Sequence, residues 1–138
     1  VDLKEYIMRI QIESRTFGDI ARNHIIPTGI KYQNVLIENV KGLKEIYGKD
    51  YLNFAEVQLK IIERISGHID QINKGIEQMV ETRKSLNKIE DEFKKAYAFC
   101  VKVLPFLNEI RYHCDKLELI VDDDLWPLAK YRELLFCR

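Results

Sequence analysis

The sequence has no excess of charge of either sign and contains few cysteines. Its 22 basic residues are balanced by 22 acidic ones. Without a net positive field, and without a recognisable RNA- or DNA-binding motif, we expect no nucleic-acid partner. Three cysteines in a chain of 138 residues do not form the pattern of a disulfide framework. Their scarcity favours the cytoplasm as the compartment of the protein.

Long apolar runs are also absent. No stretch of the sequence approaches the roughly 20 apolar residues that a membrane-spanning helix needs, so we expect no membrane partner. The first four residues, VDLK, lack the basic-then-apolar pattern of a signal peptide. Because the chain opens without methionine, we expect it to be a piece of something longer. Its length predicts a single domain, residues 1–138.

The motifs of common enzymes and metal sites are missing as well. There is no glycine-rich phosphate loop, and there is no Glu-x-x-His pair of the kind that holds di-iron sites in helical bundles. Asp122, Asp123 and Asp124 are followed by Leu-Trp-Pro, whereas a calcium loop needs a glycine and further oxygen ligands. Glu109 and His113 stand four residues apart, which favours a surface ion pair over a metal site. We therefore predict no catalytic, cofactor-binding or metal-binding residue in this chain.

One apolar stripe dominates the middle of the chain. Between residues 51 and 86, the positions reached by alternating steps of four and three are mostly apolar, and the positions between them are mostly polar. That spacing is typical of a helix that presents one seam to partner helices. The seam comprises Tyr51, Ala55, Gln58, Ile62, Ile65, Ile69, Ile72, Ile76, Met79, Arg83 and Leu86.

A stripe of the same kind runs over residues 2–47, which we predict as the first helix. Pro27 interrupts this stripe. Because a proline removes a backbone donor and crowds the preceding turn, we expect a kink or a short break near Ile25 to Gly29. The stripe places His24 on the core face. A glycine then ends the helix, and Asp50 is expected to cap the next one.

The second and third helices are predicted over residues 51–84 and 88–121. Asn87 followed by Glu90 resembles a capping box, which puts the turn between these helices at Ser85 to Lys88. The alternative is one uninterrupted helix, which would force dimerisation.

Together the three stripes predict an all-α fold. We expect an up-down-up bundle of three long helices with coiled-coil-like packing and a short C-terminal helix. Cys100 and Cys114 fall on the third stripe, where buried packing is the expected role. The tail groups aromatic and apolar side chains beside basic ones, which is typical of contact surfaces; the alternative is that it folds back and caps the bundle. The candidate interface residues are Trp126, Pro127, Leu128, Tyr131, Arg132, Leu135 and Phe136.

Two stretches of the sequence resemble a known family. They are ESRTFGDIARNHIIPTGIKYQNVLIENVKGLKEIYG, residues 13–48, and IRYHCDKLELIVDDDLWPLAKYRELLF, residues 110–136. Both are similar to the C-terminal region of type III glutamine synthetases, the long bacterial form of the enzyme. Ala129 stands where the family pattern has a second proline, and residues 49–109 match mainly in helical pattern.

The resemblance implies a parent enzyme that joins ammonia to glutamate with ATP and divalent metal such as magnesium. In that family the active site lies in upstream domains, so no catalytic, ATP or metal residue is carried over to this chain. The resemblance implies a helical C-terminal domain of a large homo-oligomer of two stacked hexameric rings. Its partners would be the catalytic domain and neighbouring subunits, and its role structural, in subunit contact or assembly.

Two other readings of the sequence remain open at this point. The heptads fit a free-standing cytosolic coiled-coil adaptor equally well, although such a protein does not need the ending WPLAKYRELLF. A stand-alone enzyme such as a di-iron bundle is disfavoured by the missing Glu-x-x-His pairs.

Overall fold

The computed structural model describes residues 2–122 and 124–126, and within them every regular element is helical. The elements form three long helical units. The first joins α1 (Leu3–Ile20) to α2 (Ile26–Tyr47), the second is α3 (Leu52–Leu86), and the third joins α4 (Glu92–Ala98) to α5 (Leu104–Ile120). The prediction of an all-α fold with three long helices is confirmed.

The first unit passes Pro27 without breaking. A π-helical turn, Ala21–Ile25, precedes α2 and leaves the proline in the first turn of that helix, where a missing backbone N–H is tolerated. The predicted distortion therefore lies one turn earlier than Ile25 to Gly29. A π turn holds more residues than an α turn, so the buried face moves on by one position. The prediction that His24 lies on the core face is wrong, because His24 is exposed and Ile25 is buried.

The third unit repeats this arrangement before its own proline. The π-helical turn Phe99–Val103 joins α4 to α5, and Pro105 falls in the first turn of α5. The shift in phase buries Phe99 completely and leaves Cys100 exposed, so the predicted burial of Cys100 is wrong. Cys114, further along the same helix, is buried as predicted.

The helix ends differ from the predicted caps. Asp50 lies in a 3-10 turn after α2, and no side chain caps α3. The link between α3 and α4 is real, which excludes one uninterrupted helix, but it falls at residues 87–91 and not at Ser85 to Lys88. The burial of Leu86 keeps the last turn of α3 helical. The cap of α4 is Asp91, whose Oδ2 accepts a hydrogen bond of 2.8 Å from the backbone N–H of Lys94.

Two side-chain contacts show which parts of the first and second units lie beside each other. At one end, Asn87 Nδ2 donates to Gln11 Oε1 at 3.0 Å. Towards the other end, Gln58 Nε2 donates to Asn39 Oδ1 at 2.9 Å. Early residues of the first unit thus contact late residues of the second, and late residues of the first contact early residues of the second.

The third unit packs against α3 at a position that only glycine fits. A Cβ atom added to Gly75 would lie 2.8 Å from Cγ1 of Ile110, well inside van der Waals contact. Because Gly75 has no side chain, α3 and α5 approach closely there. About two helical turns earlier on α3, His68 contacts His113 of α5.

All three units contribute to one apolar core. The seam predicted for α3 is confirmed, since every one of its residues is buried or half-buried. No helix among residues 2–122 is long and apolar enough to cross a membrane. Fully enclosed core side chains come from each unit: Ile25, Ile65, Ile72, Met79, Phe99, Val103, Leu107, Ile110 and Leu117.

Candidate functional site

Of the predicted tail interface, only Trp126 lies within the described residues. Its indole is half-buried and packs against the core formed by the three units. The indole Nε1 is buried and has no hydrogen-bond acceptor in the part of the chain that the structure describes. The other predicted interface residues lie outside the described residues: Pro127, Leu128, Tyr131, Arg132, Leu135 and Phe136.

A second apolar surface appears where the third unit ends. On α3, His68, Ile61 and Phe54 follow one another at intervals of seven residues and so lie on one stripe. The ring of His68 meets His113 of α5, and α5 ends at Ile120, seven residues further on. The third unit therefore covers the stripe only as far as the level of Ile61, and Phe54 is left 49% exposed.

We call residues 35–59 the hairpin tip, because here α2 and α3 extend past the end of α5. Tyr47 stacks on Phe54 with the ring centroids 3.8 Å apart, so the tip has its own aromatic contact. The tip thus concentrates exposed apolar side chains in one segment of the chain. The exposed large apolar residues of the tip are Val35, Ile46, Tyr47, Leu52, Phe54, Val57 and Leu59.

Two histidines form the most specific polar contact between α3 and α5. The Nδ1 atoms of His68 and His113 are 2.9 Å apart, so one ring donates and the other accepts. Nε2 of His113 lies 3.2 Å from Glu109 Oε1, the pair that the sequence predicted as a surface contact. The side chain of His113 is only 13% exposed. Sequence analysis did not identify His68 as the partner of His113. Periodicity shows on which face of its own helix a residue lies, but not which residue of another helix lies beside it.

The surroundings of the histidine pair disfavour a positive charge on His68. Burial lowers the pKa of His68 below its ordinary value, and the charges of His113, Arg64 and Lys116 lower it further. Glu109 is the acidic group that contacts the pair. Across residues 2–122 and 124–126, no three His, Cys, Asp or Glu side chains converge in a way that could hold a metal ion. The arrangement suits a neutral His68 imidazole that bridges two helices.

We expect the stability of the protein to fall as the pH drops below about 6.5, the ordinary pKa of histidine. The unfolded chain takes up a proton on His68 in this range more readily than the folded chain does, because the pKa of His68 is lowered on folding. The free energy of unfolding therefore decreases from pH 7.5 towards pH 5.5. Urea denaturation at these two pH values measures the effect.

Two variants separate this effect from general acid sensitivity. His68→Gln should reduce the difference between the two pH values, whereas His24→Gln should leave it unchanged, because His24 is exposed. Equal pH dependence in both variants would show that the histidine pair does not cause it.

The described cysteines do not form a reactive centre. Burial and the charge of Asp115 raise the pKa of the Cys114 thiol to about 12, so the thiol stays protonated. Cys100 is exposed, and a hydrogen bond with it is the main reason that the pKa of Tyr6 is raised. Cys137 lies outside the described residues.

Fold and site together define an all-helical protein of three long helical units, with an exposed apolar hairpin tip and a histidine pair between α3 and α5. Comparison with known proteins shows what the chain is similar to. The family described as "Glutamine synthetase C-terminal domain" matches residues 1–44. The chain is 43% identical to a glutamine synthetase of Bacteroides fragilis over 100% of its length, and 25% identical to a type-3 glutamine synthetase of Dictyostelium discoideum over 96% of its length.

These matches confirm the resemblance that the sequence motifs predicted: the chain is similar to a glutamine synthetase C-terminal domain. A glutamine synthetase of Butyrivibrio fibrisolvens is 20% identical over 97% of the chain. The chain spans only 19% of the Bacteroides relative and 18% of the Dictyostelium relative. It is therefore similar to a small part of much longer proteins.

Proposed function

We propose that this chain is the non-catalytic C-terminal domain of a type III glutamine synthetase and that it makes contacts between domains or subunits of that enzyme. The exposed apolar hairpin tip carries the proposal. The α3 stripe of His68, Ile61 and Phe54 extends beyond α5 and leaves Phe54 49% exposed, and Val57, also on α3, is 66% exposed. A surface of this kind is stabilised by covering it with another part of a larger assembly.

The finer architecture belongs to the same proposal. We infer a single domain over residues 1–138, an up-down-up order of the three units and coiled-coil-like packing between them. The contacts of Asn87 with Gln11 and of Gln58 with Asn39 support an antiparallel first pair of units. The contact of His68 with His113 and the close approach of Gly75 to Ile110 support an antiparallel second pair. The four-three seam of α3 supports packing of the coiled-coil kind.

The parent enzyme would join ammonia to glutamate with ATP and magnesium, and we place that chemistry outside this chain. The printed names of the relatives, which are glutamine synthetases, support this assignment. The partners of the domain would then be the catalytic domain and neighbouring subunits of a homo-oligomer. We place the protein in the cytoplasm.

The tail is proposed as a second part of the contact surface. The residues concerned remain Trp126, Pro127, Leu128, Tyr131, Arg132, Leu135 and Phe136. The support comes from Trp126, the residue of this set that the structure describes, whose half-buried indole packs against the core and keeps part of its surface exposed.

Replacing Phe54 and Val57 together by serine should weaken assembly of the full-length enzyme and lower its activity. Both side chains are exposed in this chain, so the isolated 138 residues should remain folded, with a loss of about 0.5–1.5 kcal/mol from the Tyr47–Phe54 ring contact. Light scattering after size-exclusion chromatography gives the mass of the assembly, and glutamine formation gives the activity.

The matched control replaces Phe93 and Val101 by serine, which are also exposed but lie on the third unit, away from the tip. This pair should leave mass and activity unchanged. The proposal fails if both double variants assemble and react like the unaltered enzyme.

A further inference from the structure

The outer face of α1 carries two large apolar side chains that the described part of the chain leaves mostly uncovered. Met8 is 61% exposed and Ile12 is 56% exposed. They stand four residues apart, so they lie side by side on one face of the helix. The opposite face of α1 is buried in the core through Ile7 and Ile10. The outer face is thus a further apolar surface, separate from the hairpin tip.

Two open grooves border these side chains and leave room beside them for the side chains of a neighbouring helix. One groove, of about 590 Å³, lies between α1 and the link that precedes α4, with Ile7 and Ile89 in its wall. The other, of about 330 Å³, is lined by residues of α1. Met8 and Ile12 line both grooves and so form the ridge between them. Helices pack against each other by placing such ridges into grooves.

One charged side chain stands at each end of this ridge. Glu5 precedes Met8 by three residues and Arg15 follows Ile12 by three, so both exposed side chains share the face of the ridge. About 15 Å of helix axis separates Glu5 from Arg15, so the two do not pair within one chain. The ion pairs found among residues 2–122 and 124–126 include neither of them. The face therefore has an acid at one end, a base at the other and an apolar ridge between them.

We propose that this α1 face, which comprises Glu5, Met8, Ile12 and Arg15, docks on the same face of a second copy of the chain, with the two α1 helices antiparallel. The two-fold axis of the pair lies midway between residues 8 and 12. It places Met8 against Ile12 of the second copy, and Glu5 against Arg15 of the second copy. A two-fold axis produces each contact twice, so the face is complementary to itself in charge as well as in apolar character. This charge match selects a second copy as the occupant of the face.

The contact should be weak, because the face is short. It offers two apolar and two charged side chains per copy, fewer than a standard protein–protein interface supplies. We expect a Kd on the order of 100 µM for the isolated chain. This inference concerns a surface other than the hairpin tip and does not depend on the role proposed for the tip.

Sedimentation equilibrium of the 138-residue chain tests the proposal. The protein concentration is varied from low micromolar to millimolar at low ionic strength, where exposed ion pairs are least screened. We expect the average mass to rise from the 16.4 kDa of one chain towards twice that value. A mass that stays at the value of one chain over the whole range would overturn the proposal.

Charge reversal identifies the surface that associates. Glu5→Arg places like charges opposite each other at both ends of the contact and should weaken the dimer roughly tenfold or more. The double variant Glu5→Arg/Arg15→Glu restores opposite charges across the two-fold axis and should recover the affinity to within about threefold. Glu63→Arg makes the same change in net charge at an exposed position of α3 and should leave the affinity unchanged. Circular dichroism verifies that each variant remains helical.

A pair of apolar variants separates the α1 face from the hairpin tip. Ile12→Ser should weaken the dimer, whereas Val57→Ser, at a similarly exposed position of the tip, should not. The proposal is wrong if Glu63→Arg weakens the dimer as much as Glu5→Arg does, or if the double charge reversal fails to restore it. It is also wrong if the dimer is lost in Val57→Ser and kept in Ile12→Ser.

Discussion

Replacing Ile72 by alanine should lower the free energy of unfolding by about 2–5 kcal/mol. Ile72 is fully buried on α3, at the centre of a core to which all three helical units contribute. Truncation removes apolar contacts and leaves a cavity, and the long helices on either side cannot collapse into it without losing contacts elsewhere. Urea denaturation of the 138-residue chain, followed by circular dichroism, measures the change.

An isoleucine outside the core provides the matched control. Ile46 is 73% exposed on α2, so Ile46→Ala should change the free energy of unfolding by less than about 0.5 kcal/mol. Ile69→Ala should fall between the two, because Ile69 is half-buried. Similar losses in Ile72→Ala and Ile46→Ala would show that the seam is misplaced.

Gly75→Ala should destabilise the protein, although alanine favours helices. The added Cβ would lie 2.8 Å from Cγ1 of the fully buried Ile110, so α3 and α5 must separate or Ile110 must leave its rotamer. Overpacking of this kind costs about 1–3 kcal/mol, which outweighs the gain of up to about 1 kcal/mol from helix propensity. The measurement is again chemical denaturation.

The same glycine-to-alanine substitution eight residues earlier on α3 should have the opposite effect on stability. A Cβ atom on Gly67 meets nothing within 4 Å, so Gly67→Ala should raise the free energy of unfolding by about 0.5–1 kcal/mol. If Gly75→Ala stabilises the protein as much as Gly67→Ala does, α3 and α5 are not in close contact at this level.

The periodicity of the sequence was sufficient to predict three long helices and the buried seam of α3. It failed at His24 and Cys100, which it placed on the core face. Each lies in a π-helical turn, where the number of residues per turn changes and a neighbouring residue, Ile25 or Phe99, takes the buried position. Each turn comes just before a proline, and that proline is the sequence signal that could have located the shift.

The contacts between helices were less predictable than the helices. An apolar stripe shows on which face of its helix a residue lies. Which residues of two helices lie side by side depends on loop length and on close contacts such as Gly75 against Ile110. The pairing of His68 with His113 depends on that level. The end of α3 was misplaced by two residues, because Asp91 and not Asn87 caps the next helix.

Electron cryomicroscopy of the full-length enzyme tests the central claim most directly. The claim is that the hairpin tip is a contact surface within a larger assembly. We predict that Phe54 and Val57 are covered by another domain or by a neighbouring subunit in the complete particle. A reconstruction in which both side chains face solvent in every subunit would contradict the claim.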